Sequence, residues 1–261
     1  MGSGVSERIV DSAAACSVNL RSPNLRRAQA SFGVMWAGEW AAMVAVGVIA
    51  FRHGGAVAVG LIGVARMVPA ALVAPVAATL ADQGRRERVL AGVGVARALS
   101  LGVGAAVSAA DGPVGLVYVA LIVATVAQTL FRPAHSAFLP SLCDTAAELT
   151  SANVVRGLLD SSATLIGPLT AAVLLKVSGP AAVLAAAAAA SAFAAVLAVR
   201  VRYEAPPRLG RARARGVPSG EAIAGIRVIA RNRALALLTA LTTLQTCIRG
   251  ALSVFSVVLA I

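Results

Sequence analysis

The sequence predicts an all-α membrane protein: six spanning helices in a bundle, a basic linker and a seventh spanning helix. Three observations carry this. Apolar residues make up 59% of the chain and charged residues only 13%, against about a quarter charged in soluble domains. A soluble fold would lack the polar surface to cover itself. The apolar residues also fall into runs of about 20, the number a helix needs to cross the hydrocarbon. Short breaks rich in Gly, Pro and Arg separate the runs.

Residues 1–27 read as a polar tail that ends in Arg21, Arg26 and Arg27 and lacks the apolar core of a secretory leader. A six-helix bundle is expected over 28–200. Its first span covers about 28–51, and Arg52-His53-Gly54-Gly55 makes a tight break. The second span covers about 56–81, followed by a charged turn. The third covers about 89–109, closed by Asp111-Gly112-Pro113, and the fourth about 114–131. Residues 132–148 read as a longer loop with two prolines. They end in Thr145-Ala146-Ala147-Glu148, the Ser/Thr-x-x-Glu form of a capping box, which starts the fifth helix. That helix runs to about 176, where Ser178-Gly179-Pro180 breaks it. The sixth span, about 181–199, is alanine-rich, and small residues let membrane helices pack closely. A basic linker occupies 201–233, with a short amphipathic stretch at 220–233 suited to a membrane surface. The seventh span begins at 234. It ends at 261 without a polar anchor, and so reads as truncated.

Orientation follows from the arginines. The tail, the second break (Arg85, Arg86, Arg88), the fourth (Arg132) and the linker carry nearly all loop cations, whereas the alternate breaks carry only Arg52 and Lys176. The positive-inside rule therefore places the N-terminus and the linker in the cytoplasm of a multi-pass inner-membrane protein. The same distribution accounts for the net charge of +12. Nucleic-acid binding would need those cations on one exposed face among stacking aromatics.

Charges at membrane depth are the candidate site, because they usually face a bundle interior or a wet cavity. Glu39 lies near the middle of the first span and Arg66 at comparable depth in the second. A pair between them would either lock two helices or form a proton or substrate site. Polar stripes at helical spacing run along three other spans. These are Arg97, Ser100, Gly104 and Ser108 in the third, and Asn153, Arg156, Asp160, Thr164 and Gly167 in the fifth. The seventh carries Thr239, Thr242, Thr246, Arg249, Ser253 and Ser256. Arg156 and Asp160 are four apart and able to pair along their helix. Buried arginines in register with hydroxyls favour a shared aqueous cavity over simple packing.

Other chemistry finds no support. Cys16, Cys143 and Cys247 are scattered and odd in number, giving neither a disulfide framework nor a zinc site. His53 and His135 fall in breaks on opposite sides of the membrane. No nucleophile triad or phosphate loop is present, so neither an enzyme nor a cofactor is expected.

The turn Leu80-Ala81-Asp82-Gln83-Gly84-Arg85-Arg86 resembles the loop between the second and third helices of the major facilitator superfamily of secondary transporters. That loop typically reads Gly-x-Leu-Ala-Asp-Arg-x-Gly-Arg-Arg. Ala78 stands here where the glycine belongs, and Gln83 where the family carries a cation. The resemblance implies a gating role for Asp82, Arg85, Arg86 and Arg88. Phe131-Arg132-Pro133-Ala134, Phe138-Leu139-Pro140 and Leu149-Thr150-Ser151-Ala152-Asn153 look like the segment before the fifth helix of drug and siderophore exporters. Gly167-Pro168-Leu169-Thr170-Ala171-Ala172 is similar to the Gly-Pro-x-x-Gly-Gly core of the antiporter motif. The implied function is proton-coupled efflux of a small amphipathic solute through the bilayer. Glu39 or Asp160 would be the protonatable group, Arg66, Arg97 and Arg156 counter-charges, and Arg249 a second-half cavity residue. The family fold has twelve helices in two halves, so this chain would supply one half and the first helix of the other. A second subunit would then complete the cavity. The alternative is a non-transporting half-size bundle that assembles with or regulates another membrane subunit.

Overall fold

A computed structural model describes residues 22–83, 85–201 and 231–259. The side chains of 75–83, 249–251 and 253–259 lie outside that description, as do the amphipathic stretch at 220–230 and most of the basic linker. The helices are α1 (Pro23–Gln83), α2 (Arg86–Ala109), α3 (Val114–Gln128), α4 (Phe131–Phe138), α5 (Ala146–Ser178), α6 (Pro180–Val199) and α7 (Arg233–Leu259). A short 3-10 turn, Leu139–Leu142, joins α4 to the segment before α5.

α1 is two spans in one continuous element. Gly54 and Gly55 leave helical geometry, Gly55 at φ 63, a left-handed conformation that costs any residue with a Cβ. The chain folds back there. Glu39 and Arg66 are 27 residues apart yet paired at 3.3 Å, whereas a straight helix would hold them about 40 Å apart. Val46 and Ile49 on the first limb share a core with Val59 and Ile62 on the second. The 52-residue apolar segment Pro23–Ala74 therefore crosses the hydrocarbon twice. Four further segments are long and apolar enough to cross: Arg86–Ala109, Val114–Leu142, Ala146–Ser178 and Pro180–Val199. The architecture is an all-α membrane bundle.

Small residues set its spacing, as expected where lipid offers helices no hydrophobic drive to associate. A Cβ on Gly94 of α2 would meet Ala195 of α6 at 2.8 Å, and one on Gly38 would meet Ala190 at 3.2 Å. The alanine-rich α6 is thus the slender helix against which α1 and α2 close. Its buried face is Val183, Leu184, Ala187, Ser191, Ala194, Ala195 and Ala198. α7 packs loosely on α1, and its described side chains up to Ile248 are almost all exposed.

Several expected boundaries shift. α1 begins at Pro23, before residue 28, and α2 begins at Arg86, so most of the charged turn belongs to helix ends. The expected loop at 132–148 is largely helical. Phe131, Ala134, His135 and Phe138 are buried at i, i+3, i+4 and i+7, the spacing of one helix face. Pro133 falls in the first turn, where its missing N–H has no partner to lose. His135 is consequently a buried core residue whose Nε2–H donates to Ala28 O at 3.2 Å. His53 likewise lies in a helix and donates Nδ1–H to Ile49 O. The capping box forms: Thr145 Oγ1 accepts from the Glu148 amide at 3.2 Å, while Glu148 Oε2 accepts from the Asp144 amide at 2.8 Å. Gly179, at φ 80, ends α5 and starts α6.

Candidate functional site

Three elements bring three charges to one place at mid-bundle. Glu39 projects from the first limb of α1, Arg66 from the second, and Arg97 from α2. One Glu39 oxygen lies 3.3 Å from Arg66 Nη2 and the other 2.7 Å from Arg97 Nη1. α3 completes the shell: Arg66 Nε donates to Thr125 Oγ1 at 2.8 Å, and Arg97 Nη1 donates to Ala124 O at 3.2 Å. Thr125 passes its own proton back to Leu121 O, so its oxygen is free to accept. Arg97 is the largest fully buried side chain among the described residues, whereas the Glu39 side chain keeps 15% of its surface.

Two guanidiniums and one carboxylate leave this cluster with a net charge of +1 in a place where each isolated ion costs several kcal/mol. Arg97 Nε and Nη2 and both amide atoms of Gln128, one turn beyond Ala124, are buried without a partner among the described residues. The indole N–H groups of Trp36 and Trp40, flanking Glu39 on α1, are in the same condition. The centre is thus cationic, and Arg97 keeps two donors there without a partner among the described residues.

A second group sits beside it, nearer the start of α1. Phe32 stacks on Trp36 and Phe131, with centroids 6.1 and 6.0 Å apart. The Arg132 guanidinium lies 4.3 Å over the Trp36 ring and bonds Asp160 at 2.9 Å. Arg156 lies 5.6 Å over Phe32 and donates to Ser136 Oγ at 2.7 Å. The expected Arg156–Asp160 pair along α5 is therefore replaced by a pair between helices. α4 places Arg132 across from Asp160, and Arg156 is turned to the hydroxyl of Ser136. Unlike the Glu39 centre, this group is accessible, with 48% of the Arg132 side chain and 38% of the Asp160 side chain exposed.

α5 meets α1 between the two groups. A Cβ on Gly167 would sit 2.5 Å from Trp40 Cβ and 2.6 Å from Ala37 O. Pro168, next to it, removes an amide donor from the middle of α5. The pair marks a close approach of α5 to the helix bearing Glu39.

The remaining expected residues are spread out. Arg85 caps α2 and bonds Glu87, a buried carboxylate, at 2.6 Å. Arg86 donates to Ala137 O on α4, and Arg88 is exposed. The side chains of Asp82 and Arg249 lie outside the description. On α7, Thr239, Thr242 and Thr246 each return their hydroxyl to the backbone one turn earlier. None of them reaches the Glu39 cluster. Sequence reasoning missed Thr125, Trp36 and Glu87 as partners, and Gln128 as a buried amide beside them. Thr125 and Gln128, three apart on one face of an otherwise apolar helix, were the available signal.

No curated protein matches the chain. The family model for the Major Facilitator Superfamily matches residues 30–261. That match takes in the paired limbs of α1, the charged centre between them and the Gly167–Pro168 contact. The chain is a multi-pass membrane protein and belongs to the major facilitator superfamily of transporters, which move small molecules across the bilayer.

Proposed function

We propose that the chain works in proton-coupled efflux of a small amphipathic solute across the cytoplasmic membrane, with its N-terminus in the cytoplasm. The observation that carries this reading is the Arg132–Asp160 pair at 2.9 Å, beside Arg156 and over the Trp36 ring. Asp160 is a half-exposed carboxylate with one guanidinium partner, so a proton arriving at its carboxylate oxygen has to displace only one ion pair. Glu39 is held by two guanidiniums, and its protonation would leave both buried without a counter-charge. In this reading Asp160 exchanges the proton, while Glu39, Arg66 and Arg97 form the fixed charged wall. Protonation frees Arg132 on its aromatic shelf, and deprotonation draws it back.

The Gly167–Pro168 contact supports the exporter branch through its likeness to the antiporter motif. Asp82, Arg85, Arg86 and Arg88 would form the cytoplasmic gate, with Arg86 tying the start of α2 to α4. A further helical half, in the same polypeptide or in a second subunit, would face α5, whose Leu165, Ile166, Leu169 and Val173 are exposed.

The test is transport of ethidium by the purified chain in proteoliposomes under an imposed pH gradient. Gradient-driven movement is expected to be lost in Asp160→Asn, while gradient-free exchange of dye persists. Wild-type gradient-driven transport by the Glu39→Gln, Asp160→Asn double variant overturns the coupling assignment.

A further inference from the structure

The end of the bundle away from the Arg85–Arg88 turn holds a cavity of about 560 Å³ that the charged centre does not use. It lies where α2 and α5 end and α3 and α6 begin. Ile49 and Val117, both buried, are among its apolar lining, and Arg52, His53, Ser108 and Asp111 bring polar groups to it. Ile49 is separated from Glu39 by about 15 Å of helix, so this is a separate compartment. Its volume falls in the range of small-molecule sites, which join apolar walls to a few placed polar groups.

The polar groups are of opposite sign and uncommitted. Arg52 and Asp111 line the same cavity, yet neither side chain has an ion pair or hydrogen bond among the described residues. His53 spends Nδ1–H on Ile49 O at 2.8 Å, which leaves Nε2 as an acceptor in its neutral form. Asp111 is the only described non-glycine residue with positive φ, at 50°. Its turn is closed by backbone bonds alone, Gly112 N–H to Val107 O and Ala110 N–H to Ala106 O. The positive φ is that of a helix C-terminus closed by the Gly112–Val107 bond, which a short polar residue tolerates, and the carboxylate itself takes no part in the turn's bonding.

We infer that this cavity binds a small zwitterion, with Arg52 receiving an oxyanion and Asp111 and the His53 Nε2 receiving an ammonium group. Ile49 and Val117 take the apolar part. An α-amino acid has this chemistry, and so does a phosphatidylethanolamine headgroup. The site is independent of the proton-coupling assignment, because no residue is shared with the Asp160 group.

The experiment uses the full chain in phosphatidylglycerol nanodiscs and saturation-transfer NMR titrations with three matched probes: leucine, leucinamide and 4-methylpentanoate. Leucine is expected to bind about tenfold more tightly than either probe lacking one charge, the loss of one charged contact. Arg52→Gln should weaken leucine and leave leucinamide unchanged. Asp111→Asn, which tolerates the left-handed conformation, should weaken leucine and leave 4-methylpentanoate unchanged. Adding phosphatidylethanolamine separates the sources: displacement of leucine identifies the headgroup as occupant, and an unchanged signal identifies the free solute. Equal affinity for the three probes, or no leucine binding by a chain with wild-type helicity, overturns the proposal. Wild-type leucine affinity in both variants also overturns it.

Discussion

Arg97 Nη1 lies 2.7 Å from Glu39, and Arg66 holds the other oxygen of the same carboxylate at 3.3 Å. The two guanidiniums share one counter-charge, so the three residues do not respond alike to neutralisation. Removing one arginine leaves a neutral pair, whereas removing the carboxylate leaves two like charges side by side. Glu39→Gln is therefore expected to cost about 3–5 kcal/mol of stability, the range for orphaning a buried ion. Arg97→Gln should cost clearly less, because two of the nitrogens it loses have no partner. Thermal unfolding in detergent checks the order. The Glu39→Gln, Arg97→Gln double variant should be more stable than Glu39→Gln alone.

The Gly167–Trp40 approach gives a steric prediction. A Cβ at 2.5 Å from Trp40 Cβ and 2.6 Å from Ala37 O meets backbone as well as side chain, so one helix must move. Gly167→Ala should destabilise by about 1–3 kcal/mol, the usual cost of overpacking. Gly157, on the same helix, has nothing within 4 Å of a built Cβ. Gly157→Ala should leave the melting temperature unchanged or slightly raised, as replacing a helical glycine does. Equal effects at both positions would show that α5 does not close on α1 through Gly167.

The hairpin in α1 depends on the backbone of Gly54 and Gly55, of which Gly55 is the positive-φ member. Gly55 sits at φ 63 with open space around it, so a side chain there meets conformational strain without a clash. Gly55→Ala should cost about 1–3 kcal/mol, and Gly55→Asn a similar amount, because at ψ −157 the residue lies outside the left-handed helical well that Asn tolerates. The measurement is the melting temperature of each, with Gly60→Ala, inside a regular helix, as the reference.

These positions also show what could be read in advance. The apolar runs and the Gly54-Gly55 and Gly179-Pro180 breaks were legible because helix length in a bilayer and glycine geometry are local properties. The capping box at Thr145 was legible for the same reason. Helix α4 was not, since Pro133 and Pro140 were read as punctuation although both fall where a helical turn tolerates them. The charged centre was half legible. Depth in the spans pointed to Glu39 and Arg66, and the third-span stripe to Arg97, but nothing local says that all three meet. Asp160 was given the partner its own helix offers at i−4. The partner it takes, Arg132, comes from a helix whose position is set by Phe131 and Phe138 in the core. Pairing between helices is a tertiary fact, and spacing along one helix cannot supply it.

Cys143 reports on both chemistry and topology. Burial pushes its thiol above the ordinary range, and the charges of Glu148 and Asp144 add to the effect. A raised pKa means less thiolate at neutral pH, and the thiolate is the species that reacts. In a Cys16→Ser, Cys247→Ser background, maleimide labelling should be slow at pH 7 and rise about tenfold per pH unit through pH 8 and beyond the usual thiol pKa of about 8.5. Glu148→Gln removes one of the two carboxylates, and should raise the rate at pH 7 and shift the profile to lower pH. The proposed orientation puts this segment in the cytoplasm, so an impermeant maleimide should label inverted vesicles and spare intact cells. Labelling from outside intact cells would reverse the orientation. An unchanged profile in Glu148→Gln would mean that the thiol does not feel that carboxylate.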